Sequence, residues 1–265
     1  LISGYSSVRR FNAAFAQHYK LNPTQLRRDG ADHKSEGGTV VRLGYRPPYD
    51  VSAMLSFLQI RRIHDVEFAS AAPDDLRVGR TLRLESGGKI VSGWLMANFD
   101  PAQHQVLLRV SDSLRSVLPA VITKLRAALD LDANPQTINA VLHESFPDGD
   151  GLRVPGTMDG YELAVRAVLG QQITVAAART LAQRIVDKFG EPIETPYPEL
   201  TRLFPAPAVL ANAEGDALGQ LGIVKQRQAA IVGIARAVAE KRIALHSGVD
   251  VPATIEALKE LPGIG

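Results

Sequence analysis

The sequence contains no cysteine among its 265 residues. This absence excludes disulfide bonds, thiolate metal sites and cysteine-ligated iron–sulfur clusters from the printed sequence. Long apolar runs are also missing, since none approaches the roughly 20 residues of a membrane-spanning helix. No charged-then-apolar leader opens the sequence. With 45% hydrophobic and 22% charged residues, the composition predicts a soluble, globular, cytoplasmic protein without a membrane partner.

Acidic residues are absent from residues 1–28, which carry five basic residues, although the whole chain has a net charge of only +2. Apolar side chains recur in this segment at the three- and four-residue spacing of a helix, at Val8, Phe11, Phe15 and Tyr19. The segment therefore predicts basic surface helices, which is the local charge that a polyanionic partner needs. Residues 29–38, DGADHKSEGG, are polar and glycine-rich and predict a linker.

The rest of the chain changes from strand-like to helix-like sequence patterns near residue 112. Residues 39–112 show short runs typical of β-strands and one helical segment, VSAMLSFLQIRR, and the pair Gly87-Gly88 separates two of the strands in the manner of a hairpin. Residues 113–265 show helical periodicity, short connections and many small residues that favour close helix packing. The sequence therefore predicts an α+β fold, with an antiparallel sheet and covering helices at 39–112 followed by an all-α domain at 113–265.

The five residues LPGIG, Leu261 to Gly265, follow a helical segment at the end of the printed sequence. Glycine adopts left-handed conformations and lets another backbone approach closely, so such a turn leaves backbone N–H groups uncovered. When a second helix follows, its N-terminal amides complete an anion site that grips a DNA phosphate without reading sequence. The same letters also fit an ordinary helix C-cap. We expect the hairpin to continue into a second helix, and the chain to be part of a longer polypeptide.

Several longer motifs occur along the chain in a fixed order. They are PPYD and M-L-x-F-L within residues 45–62, N-P-Q at 134–136, R-A-x-L-G-Q at 166–171 and the terminal PGIG. In this order they strongly resemble the alkylated-base DNA glycosylases of the helix-hairpin-helix superfamily, the 3-methyladenine DNA glycosylase II family. The resemblance covers nearly all of the chain after the linker. It implies a TBP-like antiparallel sheet followed by a helix-hairpin-helix glycosylase domain, truncated at the hairpin.

The resemblance implies base excision from double-stranded DNA that contains alkylated bases. Such enzymes bend the duplex, insert a wedge side chain and flip the damaged nucleotide into a pocket. A 3-methyl or 7-methyl purine is cationic, so an aromatic cleft holds it by stacking and cation–π attraction. A carboxylate then stabilises the oxocarbenium-like sugar and assists the attack of water. The implied enzyme is a monofunctional N-glycosylase, which we expect to be a monomer.

Three residues carry the implied base site. Phe57 matches an aromatic residue of the family's pocket wall, and Gln171 matches the glutamine that lines the cleft opposite the flipped nucleotide. Gln172 matches the wedge position, where a leucine is known in the family; a glutamine can fill the gap by hydrogen bonding to the orphan base. Phe57 also fits plain core packing beside Met54 at helical spacing, so both interpretations stand at this point.

Phosphate contacts are expected at the hairpin and at one other helix start. The hairpin contributes Leu261, Gly263 and Gly265. Lys225 and Arg227 begin a helix, where a cation is unfavourable to the helix dipole unless a polyanion lies near, although a solvated helix end also explains them. We expect no side-chain metal site and no cofactor, and the backbone carbonyls of the hairpin are where a cation would bind.

The family's catalytic aspartate follows the second helix of the hairpin, together with further pocket aromatics. No aspartate of the printed sequence occupies that place, so we expect the catalytic residue beyond Gly265. Three other residues also lie in matching motifs, and they are Tyr49, Arg166 and Asp159. We interpret Tyr49 as a packing residue and Asp159 as a helix cap, which are the usual roles of these residue types.

The segment GYSSVRRFNAAFAQHYKLNPTQLRR resembles the last helix-turn-helix of AraC-family transcription regulators. The matching features are the Gly4-Tyr5 opening, the core positions Phe11 and Phe15, and the closing P-x-x-L-R. In that family the start of the recognition helix meets the major groove. The resemblance assigns this role to Ser6, Ser7, Arg9 and Arg10. A regulator tail in front of a glycosylase implies a fusion protein of the adaptive response to alkylation.

Other functions fit part of the same pattern. An oxidised-base glycosylase of the same superfamily would carry a lysine nucleophile in the region after Gly265. A catalytically inactive DNA-binding regulator that senses alkylation damage would bind and bend DNA without releasing a base. A generic helical protein fits only if the long motif match is accidental.

Overall fold

The computed structural model describes residues 37–214 and 216–264. Tertiary packing divides these residues into two compact units. The first unit comprises residues 37–59 and 68–158, and the second comprises residues 60–67 and 159–264. The basic segment 1–28 and most of the predicted linker lie outside the described residues.

A five-stranded sheet forms the frame of the first unit. Its strands are β1 (Thr39–Gly44), β2 (Glu67–Ala72), β3 (Asp75–Ser86), β4 (Lys89–Asp100) and β5 (Gln105–Val110). Their order is β1-β5-β4-β3-β2, and the pairs β1–β5, β4–β5 and β3–β4 are antiparallel. The predicted hairpin is confirmed, because Gly87 and Gly88 join β3 to β4 with φ of +57° and +76°. Both values lie in the left-handed region that such tight hairpin turns require.

The first unit also contains α-helices. They are α1 (Val51–Arg61), α2 (Leu118–Ala128) and α3 (Pro135–Leu142), with 3₁₀ turns at Pro101–Gln103, Asp112–Val117 and Pro147–Gly149. Helix α1 begins where the Asp50 carboxylate accepts a hydrogen bond from the backbone N–H of Ala53 at 2.8 Å, which satisfies one of the helix's unpaired first-turn donors. Alternate strand residues and one face of α2 share a core that includes Val41, Leu108 and Leu125.

The second unit is mainly helical. Its elements are α4 (Gly160–Gly170), α5 (Val175–Phe189), β6 (Glu191–Pro192), β7 (Arg202–Leu203), α6 (Pro207–Ala211), a 3₁₀ turn at Gly219–Leu221, α7 (Lys225–Ala239) and α8 (Val251–Lys259). The core includes Leu169 of α4, Ile185 of α5 and Ile231 of α7. Small residues let segments approach closely, since a Cβ added at Gly160 would lie 2.1 Å from the carbonyl oxygen of Leu245. The predicted order, a sheet with helices followed by a helical part, is confirmed.

The division between the units falls after Met158, later than the change from strands to helices near residue 112. The reason is packing, because α2 buries Val121 and Ile122 in the same core as the sheet. The predicted limits, 39–112 and 113–265, follow element type, whereas the units follow shared burial. In the part of the chain that the structure describes, no helix combines the length and apolar character that crossing a bilayer demands.

Candidate nucleic-acid interface

The hairpin after α8 is anchored in the core of the second unit. Leu261 is only 9% exposed and belongs to the same buried cluster as the helices. The chain then turns through Gly263, whose φ of +77° is left-handed, and the Ile264 N–H donates to the Leu261 carbonyl at 3.2 Å. A side chain at such a φ is unfavourable, which explains the glycine. Gly265, the other glycine of the hairpin, lies outside the described residues.

The hairpin also lies against the first turns of α7. A Cβ added at Gly263 would come within 2.8 Å of the Gln226 carbonyl oxygen, and one added at Gly233 would come within 3.5 Å of the Pro262 side chain. Gly263 is therefore required twice, once for its φ and once for the close approach of two backbones. The hairpin therefore packs closely against α7 within the second unit.

Helix α7 begins, as expected, with cationic side chains in its first turn. Val224 precedes the helix and supplies no capping hydrogen bond, so no side chain caps the first-turn N–H groups. Lys225 is exposed at this positive end of the helix dipole. The guanidinium of Arg227, one residue beyond Gln226, instead donates a hydrogen bond to the backbone carbonyl of Gln171.

The turn in front of α7 repeats the design of the hairpin, a similarity that the sequence reasoning missed. Residues 218–223, LGQLGI, match residues 258–264, LKELPGI, once Pro262 is skipped. Each turn contains a left-handed glycine, with φ of +86° in the first and +77° in the second. At the turn that contains Gly222, the Arg184 guanidinium donates a hydrogen bond to the Leu221 carbonyl at 2.8 Å. The similarity between residues 218–223 and 258–264 was the sequence signal that could have identified the turn at Gly222.

Gln171 and Gln172 form the turn between α4 and α5, and both residues are exposed. The Gln171 N–H ends α4 by donating to the Val168 carbonyl at 3.4 Å. Gln172 has a φ of +55°, a left-handed conformation that is uncommon for a residue other than glycine, asparagine or aspartate. The turn therefore presents two adjacent amide side chains to solvent from a constrained backbone.

A pocket of about 200 Å³ lies beside this turn, within the second unit. It is lined by Arg61, Arg166, Gly170, Ile173, Val175, Ala178, Arg179 and Ala182. Arg166 pairs with the carboxylates of Glu67 and Glu162 at 2.9 Å each, and its guanidinium also donates to the Arg61 carbonyl. Burial acts to lower the pKa of Arg166, but the two carboxylates outweigh it and raise the pKa above its ordinary value. Arg166 thus ties α4 to the segment 60–67 and fixes one wall of the pocket.

Phe57 lies on α1 in the first unit and is 36% exposed, whereas Met54, three residues earlier on the helix, is 3% exposed. Met54 belongs to the buried core of that unit and Phe57 does not. The core-packing interpretation therefore applies to Met54. Phe57 keeps part of its ring on the surface, which a stacking role requires.

The PPYD motif owes its shape to contacts within the first unit. The Tyr49 hydroxyl donates to the Leu129 carbonyl at 2.6 Å, and the Arg153 guanidinium lies 4.7 Å from the centre of the Tyr49 ring. Arg153 also donates to the carbonyls of Arg46 and Pro48. Burial, above all, raises the pKa of Tyr49, so its hydroxyl stays protonated. The interpretation of Tyr49 as a packing residue is confirmed.

Asp159 caps α4, as interpreted from the sequence. Its carboxylate accepts hydrogen bonds from the N–H groups of Tyr161 at 2.9 Å and Glu162 at 3.1 Å. Among residues 37–214 and 216–264, no three histidine, aspartate or glutamate side chains cluster to hold a metal ion. The four positions assigned to regulator DNA binding lie outside the described residues, and they are Ser6, Ser7, Arg9 and Arg10.

The family matches place the chain in the class of helix-hairpin-helix base-excision repair proteins, which agrees with a sheet unit followed by a helical unit. Residues 40–159 match the AlkA N-terminal domain, and residues 165–261 match the HhH-GPD superfamily of base excision DNA repair proteins. The two matches meet close to the division between the packed units after Met158.

The chain is 34% identical to DNA-3-methyladenine glycosylase 2 of Escherichia coli strain K12 over 223 residues, which cover 84% of this chain and 76% of that protein. It belongs to the DNA-3-methyladenine glycosylase 2 family. A second relative, from Mycobacterium tuberculosis strain CDC 1551 / Oshkosh, is named a probable bifunctional transcriptional activator/DNA repair enzyme AlkA. It is 34% identical over 281 aligned residues, which cover 99% of this chain and 53% of that protein. The chain therefore spans about half the length of this second relative.

Among solved structures, the 3-methyladenine DNA glycosylase of Archaeoglobus fulgidus matches with a TM-score of 0.66. The match covers 85% of this chain and 75% of that one, at 20% sequence identity. At this level of identity the likeness shows the shared fold.

Proposed function

We propose that this protein is a monofunctional DNA glycosylase that flips alkylated purines out of duplex DNA and hydrolyses their N-glycosidic bonds. The observation that carries the proposal is the 34% identity to DNA-3-methyladenine glycosylase 2 over 223 residues. The PPYD, R-A-x-L-G-Q and PGIG motifs also stand in the order that this family shows. The 3-methyl and 7-methyl purines are the substrates that this chemistry suits best, because their positive charge already weakens the bond to the sugar.

The hairpin and the start of α7 would grip the DNA backbone. The contributing residues are Leu261, Gly263, Gly265 and Lys225, and for Arg227 we propose a different role below. Backbone N–H groups and one lysine hold phosphates without reading bases, so this grip serves any sequence in which damage arises. A cation bound by the hairpin carbonyls would strengthen the attraction to phosphate, and binding measurements in potassium and tetramethylammonium salts would reveal it.

Phe57 and Gln171 would bind the flipped base, and Gln172 would fill the gap in the duplex. The partly exposed ring of Phe57 supports this assignment, since a cationic base gains about 0.5–2 kcal/mol from cation–π stacking on an aromatic face. The exposure of Gln171 and Gln172 also supports it, because side chains that meet DNA must be accessible before binding. A glutamine at the wedge would act by hydrogen bonding to the orphan base.

Hydrolysis needs a carboxylate that stabilises the oxocarbenium-like sugar and assists the attacking water. We propose that this carboxylate is an aspartate encoded after Gly265, following the second helix of the hairpin. Asp159 and Asp50 do not compete for the role, because both carboxylates already cap helices.

The test is base release from methylated duplex DNA by the protein expressed from its full native reading frame. Residues 1–265 alone serve as the matched control, and unmethylated duplex serves as the substrate control. We expect the protein from the full reading frame, but not residues 1–265 alone, to release free 3-methyl and 7-methyl purines. The DNA strand should stay intact at the abasic site. Binding without base release would favour the damage-sensing regulator. Strand cleavage through an imine that borohydride traps would indicate an oxidised-base glycosylase with a lysine nucleophile.

We further propose that residues 1–28 end an AraC-type helix-turn-helix, so that the protein joins a regulator of the adaptive response to a repair enzyme. The alignment with the Mycobacterium tuberculosis relative supports this, since it covers 99% of the chain and so extends into the basic segment. The protein would act on chromosomal DNA in the cytoplasm as a monomer, which sedimentation with and without DNA would test. Replacing Arg9 and Arg10 by glutamine should abolish preference for its own promoter over unrelated DNA; unchanged preference would contradict the regulator role.

A further inference from the structure

The turn formed by Gln171 and Gln172, here called the wedge turn, is held by a residue of α7. Gln172 has a left-handed φ of +55°, which a residue with a side chain keeps only when its surroundings fix the backbone. The carbonyl of the preceding residue, Gln171, accepts a hydrogen bond from the Arg227 guanidinium across 56 positions of sequence. This hydrogen bond joins the wedge turn to the first turn of α7.

The same turn of α7 also carries the hairpin. Gly263 packs on the carbonyl of Gln226, which directly precedes Arg227. A short physical path therefore runs from the hairpin through Gln226 and Arg227 to the turn of Gln171 and Gln172. All of these residues lie within the second unit.

We infer that Arg227 is a positioning residue for the wedge, and that it fixes the Gln171–Gln172 turn relative to the hairpin that holds the DNA backbone. This inference rests on the proposed function, because it assigns Gln172 to the gap left by a flipped nucleotide. It gives Arg227 a different role from its neighbour Lys225. Lys225 would add charge next to a phosphate, whereas Arg227 uses its guanidinium to hold a carbonyl.

An arginine suits this role because its planar guanidinium presents several N–H donors in a rigid fork. A wedge that acts by hydrogen bonding needs an accurate position, since hydrogen bonds weaken steeply when their angles fall away from linear. Displacement of the turn would leave DNA affinity largely intact, because the hairpin still holds the phosphates. It would reduce the fraction of complexes in which the gap is filled.

Two readouts separate positioning from phosphate binding. The DNA is a duplex with a tetrahydrofuran abasic-site analogue opposite 2-aminopurine, whose fluorescence reports on the orphan base at saturating protein. The second readout is the slope of log Kd against log salt concentration, which falls in magnitude by about 0.9 for each phosphate contact removed. The variants are Arg227→Met and Lys225→Met, each prepared in the protein from its full native reading frame.

We expect Arg227→Met to reduce the saturating fluorescence change at least threefold with an unaltered salt slope. We expect Lys225→Met to leave the fluorescence change unaltered and to lower the magnitude of the salt slope by about 0.9. If Arg227→Met does not fold, Arg227→Lys replaces it, because this variant keeps the positive charge. Our inference then predicts a reduced fluorescence change, whereas a phosphate contact predicts wild-type values for both readouts. A lowered salt slope with wild-type fluorescence in Arg227→Met would overturn the positioning role alone. A wild-type protein that binds this duplex without any fluorescence change would overturn the proposed filling of the gap by Gln172, and the inference with it, whereas release of methylated bases tests the glycosylase activity separately.

Discussion

Replacing Gly263 by alanine tests the hairpin through two separate effects. The residue has a φ of +77°, where a side chain costs about 1–2 kcal/mol. Its new Cβ would lie 2.8 Å from the Gln226 carbonyl oxygen, which is closer than even a C–H···O contact of roughly 3.3 Å. The hairpin and α7 must therefore separate, and such overpacking costs about 1–3 kcal/mol. We expect Gly263→Ala to lower the free energy of unfolding by about 2–5 kcal/mol.

Gly87→Ala is a matched control for the conformational effect. Gly87 has a φ of +57° in the β3–β4 turn, and no atom lies within 4 Å of a Cβ added there. This variant should lose only about 1–2 kcal/mol. Urea unfolding of both variants gives the two values, and their difference measures the close approach of the hairpin to α7.

DNA binding completes the test. Displacing the hairpin should weaken binding about tenfold, which corresponds to about 1.4 kcal/mol. The loss should be equal for two unrelated duplexes, because phosphate contacts carry no base information. Fluorescence anisotropy at one fixed salt concentration measures this, with Gly87→Ala expected to bind as the wild type does. Equal destabilisation by the two substitutions, or a loss of affinity confined to one duplex, would refute the reasoning.

Three further substitutions test the assigned roles. Phe57→Ala should reduce kcat/KM for release of a cationic methylated purine about fivefold to thirtyfold, which corresponds to about 1–2 kcal/mol, with little change in the Kd for DNA; equal losses in both would mark a structural residue. Arg166→Met should lower the free energy of unfolding by about 3–5 kcal/mol, because it removes the cation that pairs with the Glu67 and Glu162 carboxylates, and urea unfolding that shows under 1 kcal/mol would contradict this. Asp159→Ala should cost about 1 kcal/mol and Asp159→Asn much less, since asparagine still caps a helix; similar losses in thermal unfolding would exclude the capping role.

The sequence predicted features that depend on a few neighbouring residues. The Gly87-Gly88 hairpin and the Asp159 cap follow from local backbone preferences, and the structure confirms them. Helix α7 also begins at Lys225 as predicted, although Val224 supplies no side-chain cap there. Packing between distant segments was not predictable in this way. The grouping of α2 with the sheet depends on a shared core, and Arg227 reaches a carbonyl 56 residues away.

The residues that made the family recognisable are largely those that hold its turns. Tyr49 and Arg166 come from the PPYD and R-A-x-L-G-Q motifs, and each makes buried contacts that a different side chain could not reproduce. Phe57 and Gln171 are instead at least partly exposed. Motif matching therefore locates the framework of the site more securely than the side chains that would meet DNA.

The glutamine at the wedge position changes what the surrounding structure must supply. An apolar wedge fills a gap in a duplex by burying surface, and that contribution depends little on orientation. A glutamine fills it through directional hydrogen bonds, which require both the amide and its backbone to be held in place. The left-handed φ of Gln172 and the Arg227 contact to the Gln171 carbonyl are two such constraints on one turn. Under the proposed function, accurate placement of that turn by α7 would be the counterpart, in this chain, of the apolar surface that a leucine wedge would bury.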